Sequence, residues 1–155
     1  QDSCPQVSDE DRLNMLDLAL MDFSDLYPED SAAKIEVCAM ELERGGVSYT
    51  SDTVRALKAR SCGARIGLVM GDDHIDGLQR WHDFPYLRDN VEFLICRRSK
   101  SDCIQGLPDG ISCRIIEPSS VAPQSSSAIR ADLAGNLGFL SKRVREYVES
   151  HGLYH

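Results

Sequence analysis

The chain has 155 residues, a length that fits one domain (1–155) with a buried core, and 42% of them are hydrophobic. Its net charge is −8, from 17 basic and 25 acidic residues, which excludes a general role in nucleic-acid binding because such a surface repels polyanions. No apolar run approaches the roughly 18 residues of a membrane span and no signal peptide is recognisable, so we expect a cytoplasmic protein.

The first third of the chain predicts two helices with a strand between them. Residues 8–26 have leucines at helical spacing, and Ser8 followed by Asp11 is typical of a capped helix start. Residues 35–42, IEVCAMEL, are a plausible strand, followed by a turn at 43–46. Residues 52–60 predict the second helix.

Three short apolar runs further along the chain predict a parallel sheet. They cover 66–70, 91–96 and 112–116, and helices are expected near 126–133 and 141–150. Strands that alternate with helices indicate an α/β fold, a Rossmann-like parallel sheet with flanking helices.

Polar residues follow each predicted strand, at the edge where ligands bind in parallel sheets. They are Gly71–Asp73, then Arg97 and Arg98, and finally the segment Ser125–Arg130. Charged loop residues that merely face solvent are a common alternative at such positions.

The segment SSSAIR (125–130) has the composition of an anion site. Small hydroxyl residues at a helix start leave backbone N–H groups open to an anion, and Arg130 adds a planar fork of donors suited to phosphate. A simple helix cap or a flexible loop is the alternative.

The six cysteines include no CxxC pair. This spacing favours small buried side chains in a reducing cytosol over a zinc site or a disulfide framework. Cys38, Cys96 and Cys113 fall within the predicted strands.

Six blocks along nearly the whole chain are similar to the bacterial nicotinate (nicotinamide) mononucleotide adenylyltransferases. In order they are DRLNML (11–16), ELERGGVSYTSDTVRAL (41–57), GDDHIDGLQRW (71–81), FLICRRS (93–99), SSSAIR (125–130) and VREYVESHGLY (144–154). The resemblance implies the nucleotidyltransferase type of α/β fold. It also implies transfer of AMP from ATP to nicotinate mononucleotide, giving deamido-NAD and pyrophosphate in NAD biosynthesis.

The resemblance assigns the pyridine nucleotide to the SYT residues and the tryptophan. Ser48, Tyr49, Thr50 and Trp81 would form the pyridine-ring pocket, and Arg98 matches the family's arginine after the strand. An electron-poor ring stacks well on indole, and backbone donors near Thr50 can meet a carboxylate. A half-buried packing aromatic is the alternative for Trp81.

The same resemblance assigns ATP to two segments. Gly71 and Asp73 would lie against the nucleotide, whereas the hydroxyls of Ser125, Ser126 and Ser127, together with Arg130, would hold the phosphates. Arg130 and Ser126 would have the catalytic role. Mg²⁺ would be held mainly by ATP phosphates, so no protein metal site is expected.

The family's HxGH motif, whose histidines contact ATP phosphates, does not occur in the 155 residues. The sheet is therefore expected to lack its first βαβ unit, which would leave strand edges unpaired. A longer polypeptide whose front is cut off is the favoured explanation. A second chain or homo-oligomer that completes the sheet is another, and a non-catalytic nucleotide-binding relative is the third.

Overall fold

The computed structural model describes residues 7–29, 34–97, 104–118 and 125–154. The chain divides into two compact units. The terminal unit comprises Gln1–Glu43 and Ala122–His155, and the central unit comprises Arg44–Val121. The expectation of a single 1–155 domain stays a prediction. Among the described residues, none of the helices has the length and apolar character that crossing a membrane requires.

The described elements alternate between helices and strands. The α-helices are α1 (Asp9–Leu26), α2 (Met40–Arg44), α3 (Thr50–Arg60), α4 (Phe84–Asn90), α5 (Ser126–Ala131), α6 (Leu133–Asn136) and α7 (Lys142–His151). The strands are β1 (Ile66–Gly71), β2 (Val91–Cys96) and β3 (Ser112–Ile116), and 3₁₀ helices cover Asp72–Arg80 and Leu137–Phe139. The three strands predicted at 66–70, 91–96 and 112–116 are confirmed.

The central unit contains a three-stranded parallel sheet in the order β1-β2-β3. Leu68 pairs with Phe93, and Phe93 pairs with Cys113, so the three strands end at the same edge. The predicted α/β architecture, a parallel sheet with flanking helices, is confirmed.

One face of the sheet forms the core of the central unit. Val91, Phe93 and Ile95 alternate along β2 and are buried, and they pack with residues of α3, α4 and the 3₁₀ helix. On the other face, Val69 of β1 is 64% exposed, and the edge strand β3 is exposed at every residue, whichever face the residue lies on. Parallel sheets are usually covered on both faces, so this sheet is half covered by its own unit. The prediction that a first βαβ unit lies outside the chain stays a prediction.

Helix α1 begins where its sequence indicates. The side chain of Ser8 accepts a hydrogen bond from the backbone N–H of Asp11 at 3.0 Å and donates to the Asp11 carboxylate at 2.5 Å. This reciprocal pairing satisfies an N–H group that a helix start leaves open.

A buried carboxylate joins α1 to the start of α7. Asp22 accepts hydrogen bonds from the backbone N–H of Arg143 at 2.9 Å and from its guanidinium at 2.7 Å. The hydroxyl of Ser141, which lies beside the carboxylate, and these Arg143 donors hold the pKa of Asp22 below its ordinary value of 3.8. Asp22 thereby caps a helix that its own N-cap residue does not cap.

The lowered pKa of Asp22 predicts a specific dependence of stability on pH. The folded carboxyl binds its proton less readily than the unfolded one, so the stabilisation is present above about pH 4 and is lost as the pH falls through the folded pKa. Asp22→Asn should therefore unfold at lower urea than the parent near pH 6, and the difference should shrink towards about pH 3. Far-UV circular dichroism follows the helices, and Asp17→Asn on the same helix is the matched control. A difference that stays constant with pH would contradict the prediction.

The strand predicted at 35–42 is wrong. Residues 34–39 form neither helix nor strand, Ile35 is 50% exposed, and Met40–Arg44 is helical. Met, Glu, Leu and Arg are good helix formers, and the segment pairs with none of the three described strands.

The helix predicted at 126–133 is interrupted. Asp132 ends α5 and begins α6, because its carboxylate accepts a hydrogen bond from the backbone N–H of Gly135 at 3.1 Å. A side chain that bonds to nearby backbone competes with helix continuation. The predicted helices 52–60 and 141–150 are confirmed within one or two residues at each end.

The cysteines are less buried than expected. Cys38, Cys62 and Cys113 are exposed, and Cys96 is half-buried. Cys38 lies outside any strand, and Cys113 lies on the exposed edge strand β3, so neither reaches the core. The thiols at 4 and 103 lie outside the described residues.

Candidate functional site

A cavity of about 200 Å³ lies beside the start of α3 in the central unit. Its lining residues come from two segments: Ser48, Tyr49, Thr50, Trp81, His82 and Leu87. All four residues that the sequence assigns to a pyridine pocket are thus brought together, across about thirty positions of chain. Pockets for whole drug-sized ligands usually measure about 300–1,000 Å³, so this cavity suits a single ring rather than a whole nucleotide.

The start of α3 supplies the polar end of the cavity. Tyr49 is the N-cap residue, and its side chain makes no capping hydrogen bond. The first N–H groups of the helix follow at Thr50, which lines the cavity. A helix start carries partial positive charge, so a carboxylate is favoured there.

Trp81 is held by the core of the central unit. Its indole is half-buried and packs against the hydrophobic cluster, and its backbone N–H donates to Leu78 at 3.1 Å. His74 meets the indole edge-on, with ring centroids 6.4 Å apart. Trp81 is therefore both a packing residue and a wall of the cavity, so the two interpretations of the sequence are compatible.

The segment after Trp81 is fixed to α3 by an arginine. Asp83 adopts a left-handed backbone conformation with φ 50°, which is uncommon outside glycine, and its carboxylate pairs with Arg55 of α3. The hydrogen bond to Asp83 raises the pKa of Arg55 above its ordinary value, and the guanidinium also lies 4.1 Å from the centre of the Tyr86 ring. These contacts hold the two walls of the cavity together.

Sequence reasoning missed His82, which lines this cavity, and Ser51, which contacts His82. His82 stacks on Tyr49 with ring centroids 4.0 Å apart and an 18° angle between the planes. The hydroxyl of Ser51 lies 3.2 Å from His82 Nδ1, and Ser51 is completely buried. Ser51 fills the variable position of SYTxDT, and a histidine beside a tryptophan has no motif of its own. No signal in the sequence would have found this pair.

Gly71 and Asp73 do not line the Trp81 cavity. Gly71 ends β1 with an ordinary extended backbone (φ −78°), so its conformation does not require glycine. Asp73 is exposed on the 3₁₀ helix that follows. Both lie where the strands end, as the sequence predicts, and Arg97 follows β2 there with a hydrogen bond to Glu117 at 3.0 Å. Arg98 lies outside the described residues.

The SSSAIR segment belongs to the terminal unit. Ser125 caps the six-residue helix α5 by accepting a hydrogen bond from the backbone N–H of Ala128 at 3.1 Å. Ser126, Ser127 and Arg130 are exposed. The helix-cap alternative is thus realised for Ser125, whose hydroxyl hydrogen remains able to donate to an oxyanion. The cap does not exclude phosphate binding by the segment.

A larger cavity of about 360 Å³ lies in the terminal unit beside Asp22, Asp25 and Arg143. Arg143 bonds to both carboxylates at 2.7 Å, and these ion pairs join α1 to α7. Within the described ranges, no group of three or more His, Cys, Asp or Glu side chains is arranged to hold a metal ion.

Comparison with solved structures identifies the fold. The chain is similar to Plasmodium falciparum nicotinic acid mononucleotide adenylyltransferase complexed with APC, with a TM-score of 0.58 and 17% identity over 71% of this chain and 60% of that one. The same protein complexed with NaAD gives a TM-score of 0.57 and 17% identity over 70% and 58%. The fold is of the nucleotidyltransferase type. The chain spans about 60% of the length of these structures, and no family model matches it. Identity this low supports the fold alone.

Proposed function

We propose that this nucleotidyltransferase-type chain serves an enzyme that transfers AMP from ATP to nicotinate mononucleotide, giving deamido-NAD and pyrophosphate. The observation that carries the proposal is the Trp81 cavity, in which an indole wall and the start of α3 adjoin a space suited to one ring. The solved structures of similar fold are nicotinic acid mononucleotide adenylyltransferases, which supports the same assignment.

In this proposal the pyridine ring stacks on Trp81, and its carboxylate meets the first N–H groups of α3 near Thr50. Ser48 and Tyr49 complete the wall, and Arg98 binds the phosphate of the mononucleotide. An aromatic ring gains from stacking on indole, and a carboxylate gains from the partial positive charge of a helix start.

The reaction needs orientation and charge stabilisation more than proton transfer. A phosphate oxygen of the mononucleotide attacks the α-phosphorus of ATP, forming one P–O bond, and the bond to the bridging oxygen breaks to release pyrophosphate. The attacking oxygen is already anionic at neutral pH, so no general base is required. Ser125, Ser126, Ser127 and Arg130 would bind the phosphates on which charge accumulates, with Gly71 and Asp73 against the nucleotide. Mg²⁺ would be bound mainly by ATP oxygens.

The direct test measures pyrophosphate release from ATP and nicotinate mononucleotide by the chain as given and by the chain joined to an HxGH-containing segment. We expect turnover in the joined form. Calorimetry on both forms should show binding of nicotinate mononucleotide. Neither binding nor turnover in the joined form would end the proposal.

Arg130→Ala should lower kcat by about tenfold, because a hydrogen bond between a charged donor and phosphate contributes roughly 1.5 kcal/mol or more. The KM for nicotinate mononucleotide should change little, since Arg130 is assigned to ATP. Arg145→Ala, in α7 of the same unit, is the control for loss of one positive charge. Equal kinetics for the parent and Arg130→Ala would remove Arg130 from the phosphate site.

A second candidate is a non-catalytic nucleotide-binding protein of the same fold. The absence of HxGH from the 155 residues favours it. It predicts binding of nicotinate mononucleotide without pyrophosphate release under any reconstitution, so the same two measurements separate the candidates. A cytoplasmic location and assembly into a homo-oligomer or with an N-terminal segment are part of the proposal in either case.

A further inference from the structure

His82 is a wall of the Trp81 cavity that is held from two sides. Its ring stacks on Tyr49, with centroids 4.0 Å apart, and its Nδ1 lies 3.2 Å from the hydroxyl of Ser51. The stack fixes the plane of the imidazole. The hydroxyl favours the ring flip that turns Nδ1, rather than Cδ2, towards Ser51. A side chain on a loop would otherwise be free to turn, so this arrangement orients one particular ring nitrogen.

The buried hydroxyl engages one of the two ring nitrogens of His82 and leaves the other, Nε2, for a ligand. Ser51 is completely buried on α3, and Nδ1 of the histidine is directed at it. When a serine hydroxyl donates to Nδ1, the proton of the neutral ring lies on Nε2. In that tautomer, Nε2 is the donor that His82 can offer to a ligand in the cavity.

The start of α3, rather than the side chains around His82, makes the cavity favourable for an anion, because one arginine there faces two carboxylates. The acidic residues on the neighbouring segments are Asp52 and Asp83, and both pair with Arg55. Tyr49 stacks on the ring, and the start of α3 contributes partial positive charge. A carboxylate therefore gains more here than a neutral carboxamide of the same shape.

We propose that His82 selects a pyridine carboxylate over the corresponding carboxamide through a hydrogen bond from Nε2, and that Ser51 is the residue that positions it. The inference rests on the proposed function, since it concerns the same cavity, and it adds a specificity-determining residue to it. A charge-assisted hydrogen bond is about twice as strong as a neutral one, which explains why the preference depends on the carboxylate.

The experiment measures dissociation constants of nicotinate mononucleotide and nicotinamide mononucleotide for the full chain by calorimetry, and reports their ratio. His82→Phe keeps the stack on Tyr49 but removes the donor, so the preference for the carboxylate should fall about tenfold. His82→Gln, whose amide nitrogen can reach the position of Nε2, should retain part of the preference. Ser51→Ala should reduce the ratio less than His82→Phe, because the ring remains but is no longer held. A change in folding alone would weaken both ligands equally and leave the ratio unaltered.

The matched control is His151→Phe. His151 also stacks on a tyrosine, Tyr147, with centroids 3.9 Å apart, but it lies in the terminal unit and does not line the cavity. Its ratio should equal that of the parent, and an equal loss in His151→Phe would overturn the inference. So would an unchanged ratio in His82→Phe while both nucleotides still bind, a result that leaves the proposed function standing. Failure of the parent chain to bind either nucleotide, alone or joined to the HxGH-containing segment, would instead overturn the proposed function and the inference with it.

Discussion

Replacing Phe93 by alanine should lower the free energy of unfolding of the central unit by about 3–5 kcal/mol. Phe93 is completely buried at the centre of β2, between β1 and β3, and belongs to the cluster that joins the sheet to α3 and α4. The substitution removes a large apolar surface and leaves a cavity, and both effects destabilise the folded state. Loss of this size is a large part of the stability of a typical domain.

Trp81 provides the measurement for the Phe93 variant, because it is the single tryptophan of the chain and lies in the same unit. Urea unfolding followed by its fluorescence should give a markedly lower midpoint. Val69→Ala is the matched control: it lies on the neighbouring strand but faces the exposed side, and it should cost no more than about 0.5 kcal/mol. Phe93→Leu should show a smaller loss, and it replaces the alanine variant if that variant does not fold. Equal effects at 93 and 69 would mean that the two faces are covered alike.

Replacing Trp81 by alanine should weaken binding of nicotinate mononucleotide by about 5- to 150-fold. Stacking of a base on an aromatic side chain contributes roughly 1–3 kcal/mol by alanine substitution, and each 1.4 kcal/mol is a tenfold change in the dissociation constant. The KM for the pyridine nucleotide should rise accordingly, whereas the KM for ATP should not, because the indole lines the cavity assigned to the ring.

The Trp81 result needs a control for packing, because the indole also contacts the core. Trp81→Phe retains an aromatic face and should retain most of the affinity, and circular dichroism should show that both variants remain folded. Phe84→Ala, another half-buried aromatic packed against the same cluster, tests whether loss of core contact alone weakens binding. An alanine variant at 81 that binds the nucleotide as the parent does would exclude the stacking role.

Local patterns were enough to predict most of the sheet. Residues 66–70, 91–96 and 112–116 are short apolar runs bounded by polar residues, and each is a strand of the parallel sheet. A strand that is buried on its core face needs apolar residues on that face, whichever strand it pairs with. The pattern of 35–42 was equally strand-like, yet the segment is not a strand, because pairing depends on where the folded chain places a segment, which its local sequence does not reveal.

One wall of the cavity, formed by SYT and Trp81, was recognisable in the sequence by resemblance. The other wall, formed by His82 and supported by Ser51, depends on the tertiary structure. Ser51 and His82 lie 31 positions apart, and the pairing of Arg55 with Asp83 is one of the contacts that hold their segments together. Short-range periodicity determines which residues form strands and helices, since it reflects each element's own burial. Which side chains meet across elements depends on packing among distant segments, and no spacing along the chain encodes a 3.2 Å contact between a serine and a histidine.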